Sequence, residues 1–462
     1  MKSNRTKHLI LALEVAVLLA GVASTPAQIY QWVTIAGKAG NSGSADGTNS
    51  AVRWHSPRGV TVASDSQLFV SDALNGTIRK LVREGTNWIA RTIAGKAGTS
   101  GSADGTNSAI RFGFSWGIGS NSGMGPAGAD ASGHVFVADY INHTIRELTP
   151  EGTNWVSSTI AGLAGSPGSA DGTNSAARFN FPNGALADSA GNLYVPDTAN
   201  STIRKLTREG TNWVTTTIAG LAGNPGSADG VNSAARFNFN GGNGGLAVDR
   251  AGNIFVADNG SHTIRRVTPE GTNWVTTTLA GKAGVVGSLD GTNNGARFTN
   301  PTGVAVDSAG ALYVAEWLNT QTIRKLTPQG TNWVTTTIGG KTGAAGSADG
   351  TNSVARFNGP CSVAVDGHGN LFVAEWDNST IRLGVPLPMF QNVTLVNEHL
   401  DLILSAALGQ TVQLQSSSDL TSTNSNWVNQ GSPITSTNGT ILASDTPGPG
   451  QPRFYRAIVV QP

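Results

Sequence analysis

Two Glu-Trp pairs, at positions 316–317 and 375–376, carry the side chains best suited to recognising a ligand. The C–H face of a sugar ring packs on an indole while a carboxylate accepts hydrogen bonds from hydroxyl groups, and the same combination attracts cations. Tyr140 stands at the tryptophan position of an earlier repeat, and Trp116 lies in a link about nine residues longer than its counterparts. We predict a binding site that contains Trp116, Tyr140, Glu316, Trp317, Glu375 and Trp376.

Candidate catalytic groups are few. Residues 113–117 read Gly-Phe-Ser-Trp-Gly, but the G-x-S-x-G motif works as an elbow between a strand and a helix, and here it lies in a glycine-rich link. His143 and His262 occupy equivalent places before Thr-Ile-Arg, without a third metal ligand. Cys361, the only cysteine, begins an apolar run, where a small buried residue is expected. We predict no catalytic residue and no metal ligand, and the sequence favours a binding protein over an enzyme.

The predicted site residues belong to a repeated unit that is clearest from Gly303 to Gly340. Its runs GVAV, ALYVAE, TIRKL and WVTTTI are separated by turn compositions, which predicts four antiparallel strands in one small sheet. Such a sheet needs neighbours like itself to bury both faces. Two markers recur six times each, at Ile78, Ile145, Ile203, Ile264, Ile323 and Ile381 and at Gly37, Gly95, Gly162, Gly220, Gly281 and Gly340.

The two ends of the repeat region predict a closed ring. The chain enters with a fourth strand alone, IYQWVTIAG at 29–37, and leaves after a third strand, TIRLG at 380–384. Pairing of that first strand with the last three strands completes six sheets and leaves no gap at the seam. The long links between sheets emerge at the same end as the Glu-Trp pairs, so we expect the binding face there.

The pattern D-S-A-G-N-L-Y-V-x-D-x-x-N-x-T-I-R-K-L at 188–206 resembles the NHL-repeat family of β-propellers, and the resemblance covers about three quarters of the chain. It implies an all-β fold, a six-bladed β-propeller whose N-terminal strand closes the last blade. The family includes binding platforms and lyases, and it is similar in architecture to gluconolactonase-type propellers. A metal-dependent lyase or a gluconolactonase-like hydrolase is therefore the alternative function.

The metal sites of those enzymes are only partly matched. Amidating lyases of the family hold zinc through histidines on the face of His143 and His262, and gluconolactonase-like propellers bind a metal through Glu, Asn and Asp near strand starts. In this chain the strand starts offer Asn183 and Asn243 but no carboxylate. This departure weakens the hydrolase alternative.

Residues present in nearly every repeat are expected to serve the fold rather than one site. Asp before Gly suits turns, Arg in the links suits tying them down, and Trp in the outer strands suits packing between sheets. We assign no cofactor. Calcium at the Asp-Gly-Thr-Asn loops is the alternative, although one carboxylate per loop is few for this ion. The sets are Asp46, Asp104, Asp171, Asp229, Asp290 and Asp349; Arg53, Arg111, Arg178, Arg236, Arg297 and Arg356; and Trp32, Trp88, Trp155, Trp213, Trp274 and Trp333.

The first 27 residues predict export. A basic start, an apolar run from Leu9 to Ala23 and small residues up to Ala27 are typical of a signal peptide, with a retained anchor helix as the alternative. Removing this segment changes 30 basic and 29 acidic residues to 27 and 28, a near-neutral balance that favours neither nucleic acid nor a membrane surface as partner. We expect a monomeric protein that is secreted or located in the bacterial periplasm or cell envelope.

The repeat stops near residue 385, and a second unit follows a proline-rich joint. Its strand-like runs from NVTLV to RFYRAIVV predict a small β-sandwich, which resembles carboxy-terminal modules of secreted bacterial proteins. The predicted organisation is a signal peptide at 1–27, the propeller at 28–385 and the sandwich at 386–462. We predict a non-enzymatic binding or scaffold protein that recognises a carbohydrate or a peptide or protein ligand on the face built by the links.

Overall fold

The computed structural model describes residues 28–64, 66–113, 128–129, 133–239, 244–396, 399–406, 410–417, 427–437, 440–446 and 454–460. The predicted signal peptide, Trp116 and most of the Gly-x-Ser-x-Gly motif lie outside these residues. The chain divides into two compact units, one of Gln31–Gly384 and one of Met1–Tyr30 with Val385–Pro462. The described residues are almost entirely strands and turns, which confirms the all-β prediction.

The repeated unit forms a twisted antiparallel sheet, as the sheet at residues 291–340 illustrates. The runs GVAV, ALYVAE, TIRKL and WVTTTI fall in four consecutive strands that pair in chain order. In the turn between the first two, the Asp307 carboxylate accepts hydrogen bonds from the backbone N–H groups of Ala309 and Ala311, both at 2.9 Å. This local hydrogen bonding is why the Asp-Ser-Ala-Gly sequence reverses the chain.

Six such sheets follow one another, and we number them 1 to 6. Sheet 1 contains β2 (Gly47–Thr48), β3 (Pro57–Ser64), β4 (Gln67–Asp72), β5 (Thr77–Glu84) and β6 (Asn87–Gly95). Sheet 2 contains β7 (Gly128–Ala129), β8 (Val135–Asp139), β9 (Thr144–Glu151) and β10 (Asn154–Gly162). Sheet 3 contains β11 (Gly172–Thr173), β12 (Leu186–Ala187), β13 (Leu193–Asp197), β14 (Thr202–Glu209) and β15 (Asn212–Gly220).

The other three sheets repeat this order. Sheet 4 contains β16 (Gly230–Val231), β17 (Leu246–Val248), β18 (Ile254–Asp258), β19 (Thr263–Glu270) and β20 (Asn273–Gly281). Sheet 5 contains β21 (Gly291–Thr292), β22 (Pro301–Val306), β23 (Leu312–Glu316), β24 (Thr322–Gln329) and β25 (Asn332–Gly340). Sheet 6 contains β26 (Gly350–Thr351), β27 (Pro360–Val365), β28 (Leu371–Glu375), β29 (Thr380–Pro386) and the first strand of the chain, β1 (Tyr30–Gly37).

Single 3-10 turns punctuate the links and the ends of second strands. Those described are Asn49–Ala51, Ala73–Asn75, Asn107–Ala109, Asn174–Ala176, Thr198–Asn200, Asn232–Ala234, Asn259–Ser261, Asn293–Gly295 and Asn352–Val354.

The innermost strands contact one another in cyclic order. Contacts run from β3 to β7, β12, β17, β22 and β27, and β27 in turn contacts β3. The N-terminal strand β1 is hydrogen-bonded between β26 and β29, so sheet 6 combines the first strand of the repeat region with its last strands. This gives a cyclic arrangement of six sheets around their first strands.

Adjacent sheets share their apolar cores. One cluster joins Phe255 and Ala257 of sheet 4 with Val314 and Trp333 of sheet 5, and the Phe255 and Trp333 rings meet edge to face at 6.2 Å. Another cluster joins Phe372 of sheet 6 to sheet 1, where its ring meets Trp88 in the same way. The outer-strand tryptophans therefore pack between sheets, as the sequence predicted.

Trp32 is an exception to this set. It pairs with Gly350, whereas the equivalent Gly291 of sheet 5 pairs with Thr335. Trp32 therefore occupies a position that holds a threonine in sheet 5, and Tyr30, two residues earlier, takes the place of the other tryptophans. Grouping Trp32 with the other five was wrong, because it lies two residues further along its strand than they do.

The second unit contains two small antiparallel sheets. One is β30 (Met389–Val396), β31 (His399–Ser405) and β35 (Thr440–Asp445); the other is β32 (Thr411–Ser417), β33 (Val428–Asn429), β34 (Ile434–Thr435) and β36 (Phe454–Val459). One apolar cluster takes side chains from both sheets, including Leu402, Leu414, Ile441 and Ala457. The two sheets thus bury a common core.

Candidate functional site

A buried layer of ion pairs underlies the predicted site. The Arg324 guanidinium donates to Glu316 at 2.7 Å and to Asp290 at 2.8 Å, and the side chains of Arg324 and Glu316 are fully buried. Every sheet repeats this triad of one arginine, one buried carboxylate at the end of the second strand and one half-exposed link Asp. The arginines are Arg79, Arg146, Arg204, Arg265, Arg324 and Arg382, and the buried carboxylates are Asp72, Asp139, Asp197, Asp258, Glu316 and Glu375.

This layer corrects the role predicted for Glu316 and Glu375. Glu316 accepts from the Thr299 N–H and from the Thr322 hydroxyl in addition to its arginine. Glu375 accepts equivalent bonds, with Thr380 supplying the hydroxyl. Burial raises the pKa of both carboxyls, against the lowering effect of the arginines and hydrogen bonds. With their oxygens engaged and no exposed surface, neither group is retained as a ligand contact.

Tyr140 is also buried rather than presented to a ligand. Its ring lies 4.7 Å from the Phe181 ring, centroid to centroid, and the Arg58 guanidinium lies 5.3 Å from the Tyr140 ring. Burial raises the pKa of its phenol. Tyr140 therefore packs three sheets together, and the structure does not bring it to the two tryptophans.

The two tryptophans of the Glu-Trp pairs do come together. Trp317, after β23 of sheet 5, and Trp376, after β28 of sheet 6, are half-buried, with ring centroids 6.1 Å apart and planes at 42°. Leu318, next to Trp317, is 47% exposed. The residues at the equivalent position of the other four sheets, Ala73, Tyr140, Thr198 and Asn259, are buried. The predicted aromatic platform is thus present, built from two neighbouring sheets.

Asp377 completes this platform and was not among the predicted residues. Its carboxylate accepts a hydrogen bond from the Trp317 indole N–H at 3.3 Å, across the junction of sheets 5 and 6. The side chain is exposed, and partial burial raises its pKa. We call Trp317, Trp376 and Asp377 the tryptophan–aspartate platform. A signal was present in the sequence, since Glu-Trp-Leu in sheet 5 becomes Glu-Trp-Asp in sheet 6.

Gly359 makes room for the Asp377 side chain. A Cβ atom at Gly359 would lie 2.6 Å from an Asp377 carboxylate oxygen, and Gly359 has φ +70°. Its carbonyl accepts from the Trp376 backbone N–H at 2.8 Å, and its own N–H donates to the Gln321 amide oxygen at 2.8 Å. Gln321 of sheet 5 therefore fixes the link of sheet 6 directly beneath the platform.

The two histidines considered for zinc hold the links between sheets in the same way as Gln321. The Nδ1 atom of His143 accepts from the Phe181 N–H at 3.1 Å, and that of His262 accepts from the Asn300 N–H at 3.3 Å. Partial burial lowers the pKa of both. Because Nδ1 is occupied, each ring joins one sheet to the link of the next. Within the described ranges no three metal-binding side chains cluster.

The link carboxylates considered for calcium are similarly engaged. Asp46 accepts from Arg79 at 2.7 Å and from the Thr92 N–H and hydroxyl at 2.9 and 3.0 Å. Cys361 is buried, and burial raises the pKa of its thiol to about 12, so it is a packing residue as predicted.

A cavity of about 220 Å³ lies between the first strands of the sheets. Its described lining is mainly apolar, including Val62, Val306 and Val365, with Asn183 and Ser362 among the polar side chains. The described lining contains no carboxylate, so it does not match the Glu-Asn-Asp set of gluconolactonase-like propellers. Asn243 and Trp116 lie outside the described residues.

Comparisons with known proteins show the fold alone. No family model matches the chain, and no curated protein matches it. An auxiliary nutrient binding protein from Bacteroides thetaiotaomicron is 17% identical, covers 77% of this chain and 76% of its own, and has a TM-score of 0.54. An auxiliary nutrient binding protein from Bacteroides ovatus is 16% identical, covers 78% of this chain and 77% of its own, and has a TM-score of 0.52. A Bacteroides thetaiotaomicron protein of unknown function is 18% identical, covers 77% of this chain and 75% of its own, and has a TM-score of 0.55. The chain therefore shares an all-β, propeller-like fold with these proteins.

Proposed function

We propose that the six sheets are the blades of a closed, six-bladed β-propeller of NHL type and that its link face binds a ligand. Support comes from the cyclic contacts of the first strands and from β1 completing sheet 6. The two sheets of the second unit form a C-terminal β-sandwich in this proposal. The whole is an exported protein of the cell envelope or exterior, with residues 1–27 as its signal peptide. The helices among the described residues are three-residue 3-10 turns, so none of them could cross a bilayer.

The ligand site in this proposal is the tryptophan–aspartate platform, and the ligand is a carbohydrate or a peptide. The observation that carries it is the half-buried pair of tryptophans, which among the described residues occurs at the junction of sheets 5 and 6 alone. Exposing indole surface to water is unfavourable, and aromatic side chains with a nearby polar group are frequent in ligand sites. The structural neighbours described as nutrient binding proteins are consistent with this function.

A glycan and peptide array tests the proposal. We expect the protein to bind members of one class, and Trp317→Ala and Trp376→Ala to abolish that binding. Trp427→Ala is the matched control, because Trp427 is a half-buried tryptophan of the second unit that packs against Arg456 at 4.3 Å. If binding survives both platform substitutions, or is lost equally in the control, the platform is not the ligand site.

A further inference from the structure

We infer that the tryptophan–aspartate platform recognises a cationic group, with the chemistry of an arginine or lysine side chain. The inference rests on the proposed function and specifies its ligand. It begins from the spacing of the two rings. At 6.1 Å between centroids and 42° between planes, Trp317 and Trp376 leave no room for a sugar or aromatic ring between them. A ligand group therefore lies over their accessible faces, beside the Asp377 carboxylate.

Those faces and that carboxylate attract the same charge. An indole face is the negative side of the ring quadrupole and attracts a cation within about 6 Å of its centroid. Asp377 adds a full negative charge beside the Trp317 ring, 3.3 Å from its N–H. A neutral sugar could pack on the indoles and donate hydroxyl hydrogen bonds to the carboxylate, but only a guanidinium or ammonium group also carries the positive charge that both ring faces and the carboxylate attract.

The hydrogen-bonding state of Asp377 leads to the same conclusion. Among the described residues its carboxylate accepts one hydrogen bond, the long one from Trp317. An ionised carboxylate can accept about four, and its bonds are strongest with charged donors. Because the Asp377 side chain is exposed, a cationic donor can reach the lone pairs that remain. Arginine offers a planar fork that stacks on indole and donates to a carboxylate at once.

The charges below the platform add to its negative character. Each of the two triads beneath it has one arginine and two carboxylates, so each carries a net charge of −1 when ionised. Arg58 and Asp377 both interact electrostatically with Cys361, but the Arg58 side chain is buried against Tyr140. The two triads therefore add negative charge beneath the platform.

The test uses the full protein labelled with 5-fluorotryptophan and followed by 19F NMR. Resonances of Trp317 and Trp376 are assigned from their Phe variants. The probes are the capped pentapeptide Gly-Gly-Arg-Gly-Gly, the same peptide with neutral citrulline in place of arginine, capped arginine amide alone, and maltopentaose. Citrulline keeps the shape of arginine without its charge. Asp377→Asn removes the charge of the site, and Glu270→Gln is the matched control, since Glu270 is an exposed carboxylate in a turn at the other end of its sheet.

We expect the arginine peptide to shift both resonances and to bind about tenfold more tightly than the citrulline peptide, because one charge-assisted contact is worth about this factor. Asp377→Asn should reduce this difference to the part that the indole faces contribute, and Glu270→Gln should keep it. Capped arginine amide binding as well as the peptide would identify a small cation as sufficient. Equal binding of arginine and citrulline, or binding unaffected by Asp377→Asn, overturns the inference. Shifts with maltopentaose alone would overturn it and leave the proposed function standing. If neither resonance shifts with any of these probes and the array shows no binding, both the inference and the proposed function are refuted.

Discussion

Trp32 lies at the seam, the place where β1 completes sheet 6. Its packing predicts that substitutions at positions 32, 339 and 384 have strongly non-additive effects on stability. Trp32 is fully buried, donates its indole N–H to the Ile338 carbonyl at 3.1 Å and meets the Phe357 ring edge to face at 5.0 Å. A Cβ atom at Gly339 would lie 2.7 Å from its indole nitrogen, and one at Gly384 would lie 2.6 Å from its six-membered ring. The indole therefore occupies the space that both glycines leave.

Both glycines are themselves departures from the repeat. Gly384 pairs with Leu371 as Leu326 of sheet 5 pairs with Leu312, so it replaces a leucine. Gly339 stands where sheet 4 has Ala280. The seam thus exchanges a leucine, a methyl group and a threonine for one tryptophan and two glycines.

The magnitudes follow from this exchange. Trp32→Thr deletes a buried indole and should cost about 3–5 kcal/mol of unfolding free energy. Gly384→Leu, which would overlap the indole, should cost about 3 kcal/mol, at the upper end of the range for overpacking. The triple variant Trp32→Thr, Gly339→Ala, Gly384→Leu restores the composition of the other sheets. It should be only about 1–2 kcal/mol below the parent, mainly because the Ile338 carbonyl loses its donor.

Urea unfolding followed by far-UV circular dichroism measures these differences, with the slope of each transition checked for constancy. The single substitutions should sum to far more than the triple variant costs, a coupling of several kcal/mol. Additive costs, or a Gly384→Leu variant as stable as the parent, would refute the packing account of the seam.

Other contacts predict effects of pH, charge removal and backbone strain. Burial lowers the pKa of His143 and His262, so below about pH 6.5 the unfolded chain takes up more protons at these two positions than the folded protein does, and their contribution to stability should fall as the pH falls. Replacing both by glutamine, the residue at Gln321, should flatten this fall between pH 7.5 and 5 in urea unfolding, and an unchanged slope would contradict it. Arg324→Ala leaves two carboxylates without their cation and should cost about 3–5 kcal/mol in the same assay; a loss below about 1 kcal/mol would show that the triad is not structural. Gly359→Ala should cost about 1 kcal/mol of stability through its φ of +70° and reduce ligand affinity by displacing Asp377, and intact affinity in a titration would count against the platform.

Sequence reasoning recovered the strands because alternating β-branched residues and Asp-Gly turns act locally. It also anticipated the pairing of β1 with the last strands, since the phase of the repeat leaves one strand over at each end. It missed the two-residue offset of Trp32, although the spacing to the marker glycine records it: Trp32 precedes Gly37 by five residues and Trp333 precedes Gly340 by seven. Trp317 and Trp376, which break the sixfold pattern of the sequence, lie side by side in the structure, and their role in binding stays a prediction.

The carboxylates of the site were misread for a physical reason. Glu in place of Asp looked like an asymmetric, ligand-directed change, but the longer side chain reaches a threonine hydroxyl inside the same sheet. Glu316 accepts from the Thr322 hydroxyl at 3.0 Å. In sheets 3 and 4, where Asp occupies this position, the hydroxyls of Thr202 and Thr263 are buried without a partner among the described residues. A change of side-chain length alone does not indicate a ligand contact, because a buried side chain such as that of Glu316 cannot reach a ligand.

A repeat protein offers a general way to separate structural from functional departures, and this chain contains both kinds. At the seam, Trp32, Gly339 and Gly384 compensate one another, so their volumes and hydrogen bonds balance within the fold. At the platform, Trp317, Trp376 and Asp377 leave indole surface and carboxylate lone pairs open to water. Departures of the first kind contribute to stability, so selection for a stable fold is enough to maintain them without any ligand. Departures of the second kind leave indole surface partly exposed, as the proposed binding function requires.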